Sequence, residues 1–149
     1  MATTTSPEKK PPITCHILDT TRGRPASSIP TTLTLHNPPP TISSVPLTFT
    51  STTNSDGRVT SWTPTAAAFS SSSSPSSSLD AVFAAAAADQ QYSLTFDTRA
   101  YWKENGVEES FYDDVVVRFV VRRAMAERKE HFHVPVLLGP FGYTTYRGS

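Results

Sequence analysis

Apolar and polar residues alternate along most of this chain in short runs divided by turn-forming residues. Residues 13–19 (ITCHILD) put Cys15 and Ile17 on one face and His16 and Leu18 on the other, the period of a half-buried strand. Gly23 and Pro25 then interrupt the run. Residues 31–36 alternate again, and Asn37 with Pro38, Pro39 and Pro40 ends that strand, because proline cannot donate to a ladder. Residues 45–53 predict a third strand, Asn54-Ser55-Asp56-Gly57 a turn, and residues 58–63 the start of another strand. Further strands are predicted at 92–97, 115–122, 131–138 and 143–147. Residues 98–105 read as a short helix, with Asp97 or Thr98 as N-cap and Gly106 as its stop. Residues 124–130 read as a charged connection. Many short strands and one short helix predict an all-β protein, an antiparallel β-sandwich.

The rhythm fails in two places. Residues 1–12 (MATTTSPEKKPP) lack an apolar stretch and read as a disordered tail, not a secretory signal. Residues 65–90 are rich in serine and alanine and read as a surface insertion that carries no chemistry. Within them residues 81–90 have the alanine content of a short helix, marginal in isolation. One domain over residues 13–149 is the expected organisation, a size that can bury a core unaided.

Charge and cysteine content narrow the classes. The formal net charge is zero, so bulk electrostatics favour neither a nucleic-acid nor a membrane partner. Cys15 is the single cysteine; no intramolecular disulfide can form, which suits a reducing compartment. No apolar run reaches the roughly 18 residues of a membrane helix. Cytoplasm is the default compartment. The final Arg147-Gly148-Ser149 is not an SKL-type peroxisomal signal, which leaves the peroxisome, by another import route, as the alternative.

Candidate chemistry gathers in the last nineteen residues, HFHVPVLLGPFGYTTYRGS. On a strand His131 and His133 share a face, and Phe132, Val134, Val136 and Leu138 fill the other. Two imidazoles on one face suit proton transfer near neutral pH. They also suit zinc, with His16 as a third ligand, although no Cys or carboxylate cluster stands at ligand spacing. A purely structural role is the third option. Taken singly, His16 reads as a hydrogen-bonded strand residue, His36 as a loop residue and Arg58 as a solvated arginine. Cys15, opposite His16, reads as a buried thiol, and Tyr101 and Trp102 as packing residues. The basic run of Arg122, Arg123, Arg128 and Lys129 reads as a solvated loop.

Several motifs together resemble the 5-hydroxyisourate hydrolases, the transthyretin-related enzymes of urate breakdown. They are the C-terminal nineteen residues, Cys15-His16-Ile17-Leu18-Asp19 with Arg22-Gly23-Arg24-Pro25-Ala26, and Asp56-Gly57-Arg58. Phe96-Asp97-Thr98, Tyr101-Trp102 and Phe111-Tyr112 complete the set. The resemblance spans most of residues 13–149. Gly139 and Phe141 stand where that family often has serine and tyrosine, both in a turn beyond the site.

The resemblance implies a transthyretin-like fold of two sheets of about four strands. It implies a homotetramer with sites at subunit interfaces and no metal or other cofactor. It also implies hydrolysis of 5-hydroxyisourate to 2-oxo-4-hydroxy-4-carboxy-5-ureidoimidazoline, by attack of water on a ring lactam carbonyl. His16, Arg58, His133 and Ser149 carry over as catalytic, with His16, Arg58 and Tyr146 contacting substrate. His131, Arg147 and Gly148 support them. No GxSxG setting accompanies any serine, so no covalent acyl-enzyme is expected. The alternative is a transthyretin-like carrier of a small ligand that does no catalysis. The joint presence of His16, Arg58, His133 and the YRGS terminus argues for the enzyme.

Overall fold

A computed structural model describes residues 10–65 and 78–149. Most of the expected tail and the serine run, residues 1–9 and 66–77, lie outside the described residues. Among the described residues the alternating runs form ten strands: β1 (Ile13–Asp19), β2 (Arg24–Pro25), β3 (Pro30–Leu35), β4 (Leu47–Thr52), β5 (Arg58–Val59), β6 (Thr63–Pro64), β7 (Gln90–Asp97), β8 (Asp114–Val121), β9 (Phe132–Leu138) and β10 (Tyr143–Thr145). One sheet runs β10-β9-β1-β2, with β5 also on β1; the other runs β6-β4-β3-β7-β8. Each sheet has five strands, where about four were expected. The added strands are two-residue pieces of the run at 58–63, which divides between the sheets. Val59 pairs with Cys15 in the first sheet, and Thr63 with Thr50 in the second.

Between the sheets lie the apolar halves of the alternating runs. Cys15, Ile17, Val134 and Val136 are buried from one sheet, and Leu33, Leu35, Phe49, Tyr92, Leu94 and Phe96 from the other. Among the described residues every strand pair is antiparallel except β1 with β9, which run parallel. The long crossover a parallel pair needs is supplied by the whole second sheet.

Among the described residues three short helices stand where one was expected: α1 (Leu79–Ala84), α2 (Arg99–Glu104) and α3 (Arg123–Glu127). The expected helix is α2, with Thr98 at its N-cap position. The Thr98 hydroxyl does not cap the helix; it donates to the Tyr112 and Asp113 carbonyls. α1 starts ahead of the alanine run because Ser78 Oγ accepts the Ala81 N–H at 3.1 Å. Leu79, Val82 and Phe83 of α1 are buried, so this part of the low-complexity segment belongs to the core. α3 occupies the expected charged connection and tucks Ala126 inward. Its neighbourhood is ion-paired: Arg122 with Asp89 at 3.0 Å and Arg123 with Glu127 at 2.8 Å.

Gly57 has a φ of +71°, and a Cβ there would strike the Ile17 carbonyl oxygen and crowd the Pro25 side chain. Its own carbonyl accepts the Ile17 N–H at 2.8 Å. Glycine lets the Asn54–Gly57 turn lie against β1, which delivers the next residue, Arg58, to that strand.

Candidate active site

Strand parity decides which side chains leave the core. On β1, Cys15 and Ile17 point inward, so Thr14, His16 and Leu18 take the outer face. On β9, Phe132, Val134, Val136 and Leu138 point inward, so His133 takes that same outer face. The parallel register sets Thr14 beside His133, and the antiparallel pairing of β5 sets Arg58 beside His16. Residues more than a hundred positions apart thereby become neighbours on one surface.

Thr14, two residues before His16 on the same face, is the member that the sequence pattern left unnoticed. Its Oγ1 lies 2.7 Å from His133 Nδ1 and 2.9 Å from His131 Nε2, and the two rings stand 6.5 Å apart at 18°. A hydroxyl has one proton to give. Thr14 can therefore donate to only one imidazole, and at least one of the two rings must donate an N–H to it. A cavity of about 380 Å³ opens here, lined by Thr14, Arg58, His131, His133, Ser149 and Lys10 among others.

The C-terminal segment reaches this cavity by pairing with β9. The Gly148 N–H donates to the His133 carbonyl at 2.8 Å. A Cβ at Gly148 would lie 2.8 Å from both His133 Cδ2 and Pro135 Cγ, so only glycine fits so close to the ring. Ser149 then lines the cavity. Tyr146 and Arg147 line a neighbouring groove of about 330 Å³ with Val117, Phe119 and Phe132, and His133 borders both spaces. Tyr146 is exposed and lies beyond β10, so the strand expected over residues 143–147 stops short of it.

All three imidazoles are held below their ordinary pKa. For His16 the cause is partial burial, then the charge of Arg58. For His133 it is burial, then Arg58, then His131, His16 and Lys10. For His131 it is burial, then Lys10. Neutral imidazoles beside a guanidinium can accept a proton from water while the cation faces an anionic intermediate.

The remaining candidates sit elsewhere. His36 Nε2 lies 2.8 Å from Ser93 Oγ on the other sheet. Cys15 is buried, which pushes its thiol up to about 12, so it offers no thiolate near neutral pH. Asp19 is buried at the end of β1 and accepts from the Thr21 N–H and hydroxyl, the Arg22 N–H, and the Tyr101 hydroxyl at 2.6 Å. Burial alone would raise its pKa; these donors together hold it below the ordinary carboxylate value. Tyr101 thus joins α2 to β1, and Trp102 packs in the core. Among the described residues no three His, Cys, Asp or Glu side chains gather as a metal-ligand set, and no helix is long and apolar enough to cross a membrane.

Residues 13–148 match the model of the HIUase/Transthyretin family. A probable 5-hydroxyisourate hydrolase of Schizosaccharomyces pombe is 34% identical over 149 residues, the full length of both chains. The 5-hydroxyisourate hydrolase of Mus musculus is 38% identical over 139 residues, covering 93% of this chain and 95% of the mouse protein. Among solved structures, the 5-hydroxyisourate hydrolase of Klebsiella pneumoniae superposes with a TM-score of 0.57 at 28% identity, covering 92% of this chain and 97% of that one. Transthyretin from Sparus aurata superposes with a TM-score of 0.66 at 23% identity, covering 93% of this chain and 97% of that one; it supports the fold.

Proposed function

The chain belongs to the HIUase/Transthyretin family, and from that premise we infer that it is a 5-hydroxyisourate hydrolase acting in urate catabolism. The observation that carries this reading is the junction of His16, Arg58 and His133 on the outer face of β1, β5 and β9, beside the cavity that Ser149 lines.

The substrate is a small planar heterocycle rich in carbonyls, and its hydrolysis opens a lactam C–N bond of the six-membered ring. In the arrangement that suits this reaction, His133 Nδ1–H donates to Thr14 Oγ1 and the Thr14 hydroxyl donates to His131 Nε2. His133 Nε2 then carries a free lone pair. It takes a proton from water as the water oxygen attacks the lactam carbon. The carbonyl oxygen becomes an oxyanion, and the Arg58 guanidinium stabilises it by charge-assisted hydrogen bonds. The C–N bond breaks as the departing nitrogen takes back the proton that His133 holds. His16 and Arg58 hold the ring, with the Ser149 hydroxyl at the pocket edge. Tyr146 joins from the adjoining groove once substrate is bound. No step calls for a metal.

The assembly proposed is a homotetramer with sites at subunit interfaces. Leu137 shares the outer face of β9 with His133 and is exposed, and the edge strand β8 exposes Val116 and Val120. Apolar side chains in such places favour cover by further copies of the chain. Cytoplasm is the compartment proposed. The test of function is to add the purified protein to freshly generated 5-hydroxyisourate and follow its ultraviolet absorbance. Decay faster than the spontaneous rate is expected; decay at the spontaneous rate would remove the assignment.

A further inference from the structure

We propose that Glu130 is a positioning residue of this site, which fastens the C-terminal segment through Arg147 and so holds Ser149 at the cavity; the catalytic part of this inference rests on the hydrolase reading.

Glu130 lies just before His131 and the strand β9 that carries His133, and in sequence it is one charge among many in a basic stretch. In the fold it is the hub between two arginines. Its Oε2 accepts from Arg128 Nε at 3.0 Å and from a terminal guanidinium nitrogen of Arg128 at 2.6 Å. Its Oε1 accepts from Arg147 at 3.1 Å. The Arg128 fork orients the carboxylate so that its other oxygen faces Arg147. The Arg147 guanidinium also lies over the Phe132 ring, 4.7 Å from its centroid.

One residue further along, the Gly148 N–H is bonded to the His133 carbonyl. The tail is therefore held at three successive points: Arg147 on Glu130, Arg147 on Phe132, and Gly148 on His133. All three lie at residues 130–133, the stretch that also supplies His131 and His133. A tail of polar or small residues buries little apolar surface and would fray without such ties. A simple exposed ion pair would contribute little. This one gains from being a three-member network in which two Arg128 nitrogens converge on one oxygen of the carboxylate and Arg147 takes the other.

Two measurements test the proposal. The first needs no activity: hydrogen exchange of the Gly148 amide in the full-length protein. In Glu130→Gln this amide should exchange several-fold faster, while the amides of β1 and β9 keep their rates. An unchanged rate at Gly148 would overturn the proposal, whatever the substrate. The second is a double-mutant cycle on turnover. Glu130→Gln should lower kcat/KM about tenfold, with most of the loss in kcat. Glu130→Asp should recover part of it. In an Arg147→Gln background Glu130→Gln should cost little more. A full, additive loss in that background, or wild-type turnover from Glu130→Gln alone, would show that Glu130 does not act through Arg147. Absence of turnover in the unsubstituted protein would instead strike the hydrolase reading and leave the exchange result standing.

Discussion

The Thr14 hydroxyl lies 2.7 Å from His133 Nδ1, and on the proposed mechanism this contact leaves Nε2 as the proton-accepting nitrogen. Since Thr14 Oγ1 also meets His131 Nε2 at 2.9 Å, the tautomers of the two histidines are linked through one hydroxyl proton. Thr14→Val keeps the strand and its volume but frees His133 to carry its proton on either nitrogen. Turnover should fall about tenfold or more, and Thr14→Ser should restore most of it. Steady-state rates of both variants decide the matter; equal activity in Thr14→Val and the unsubstituted protein would free His133 from this control.

Arg58 is expected to stabilise the oxyanion, so Arg58→Ala should lower kcat by about 100-fold or more. Its charge also helps depress His16 and His133. Residual activity in Arg58→Gln should therefore lose its acid limb at a higher pH than the unsubstituted protein does. A limb that stays in place would leave Arg58 out of the electrostatics of the base.

The same depression predicts two effects of acid. His16, His131 and His133 lie below the ordinary 6.5, so they stay neutral in the folded protein to a lower pH than in the unfolded chain. The acid limb of kcat/KM should accordingly fall below pH 6.5. As pH drops through 6.5 the unfolded chain binds protons first, so these groups cost stability there; above 6.5 both states are neutral and the effect vanishes. Denaturant melts between pH 5 and 8, compared with a His133→Gln variant, should show a smaller acid loss in the variant.

Removing residues 146–149 should abolish turnover and leave the sandwich folded, since Tyr146 is exposed and Gly148 and Ser149 add almost no apolar core. Gly148→Ala is the milder probe. Its methyl group would meet His133 Cδ2 and Pro135 Cγ at 2.8 Å, so the tail or the ring must move. A displacement of that order should lower turnover up to about 100-fold. Sedimentation and turnover measured side by side test both; near-normal turnover after truncation would take the terminus out of the site.

Extended chelation should leave activity intact, because the point on which His131 Nε2 and His133 Nδ1 converge is filled by the Thr14 hydroxyl, and among the described residues no third His, Cys, Asp or Glu joins them. Loss of turnover on chelation, restored by zinc, would reverse this view.

How far the sequence went can be argued from individual positions. Alternation over residues 13–19 and 131–138 located β1 and β9 almost to the residue, and it sorted His16 and His133 from the core residues Cys15 and Val134. That succeeds because a strand's period of two forces polar and apolar neighbours onto opposite faces. The motifs around His16, Arg58 and His133 named the family because each is a local string. Other features depend on partners distant in sequence. Alternation cannot say that β1 and β9 run parallel, that residues 58–63 serve both sheets, or that α1 buries Phe83 from within an alanine-rich stretch. Thr14 looked like any strand threonine, and Glu130 like any surface charge. Each gains its place only when the β1–β9 register and the returning C-terminal segment set it beside His133 or Arg147. Local period is written in the chain itself, whereas register and the meeting of distant segments follow from the packing of the whole sandwich.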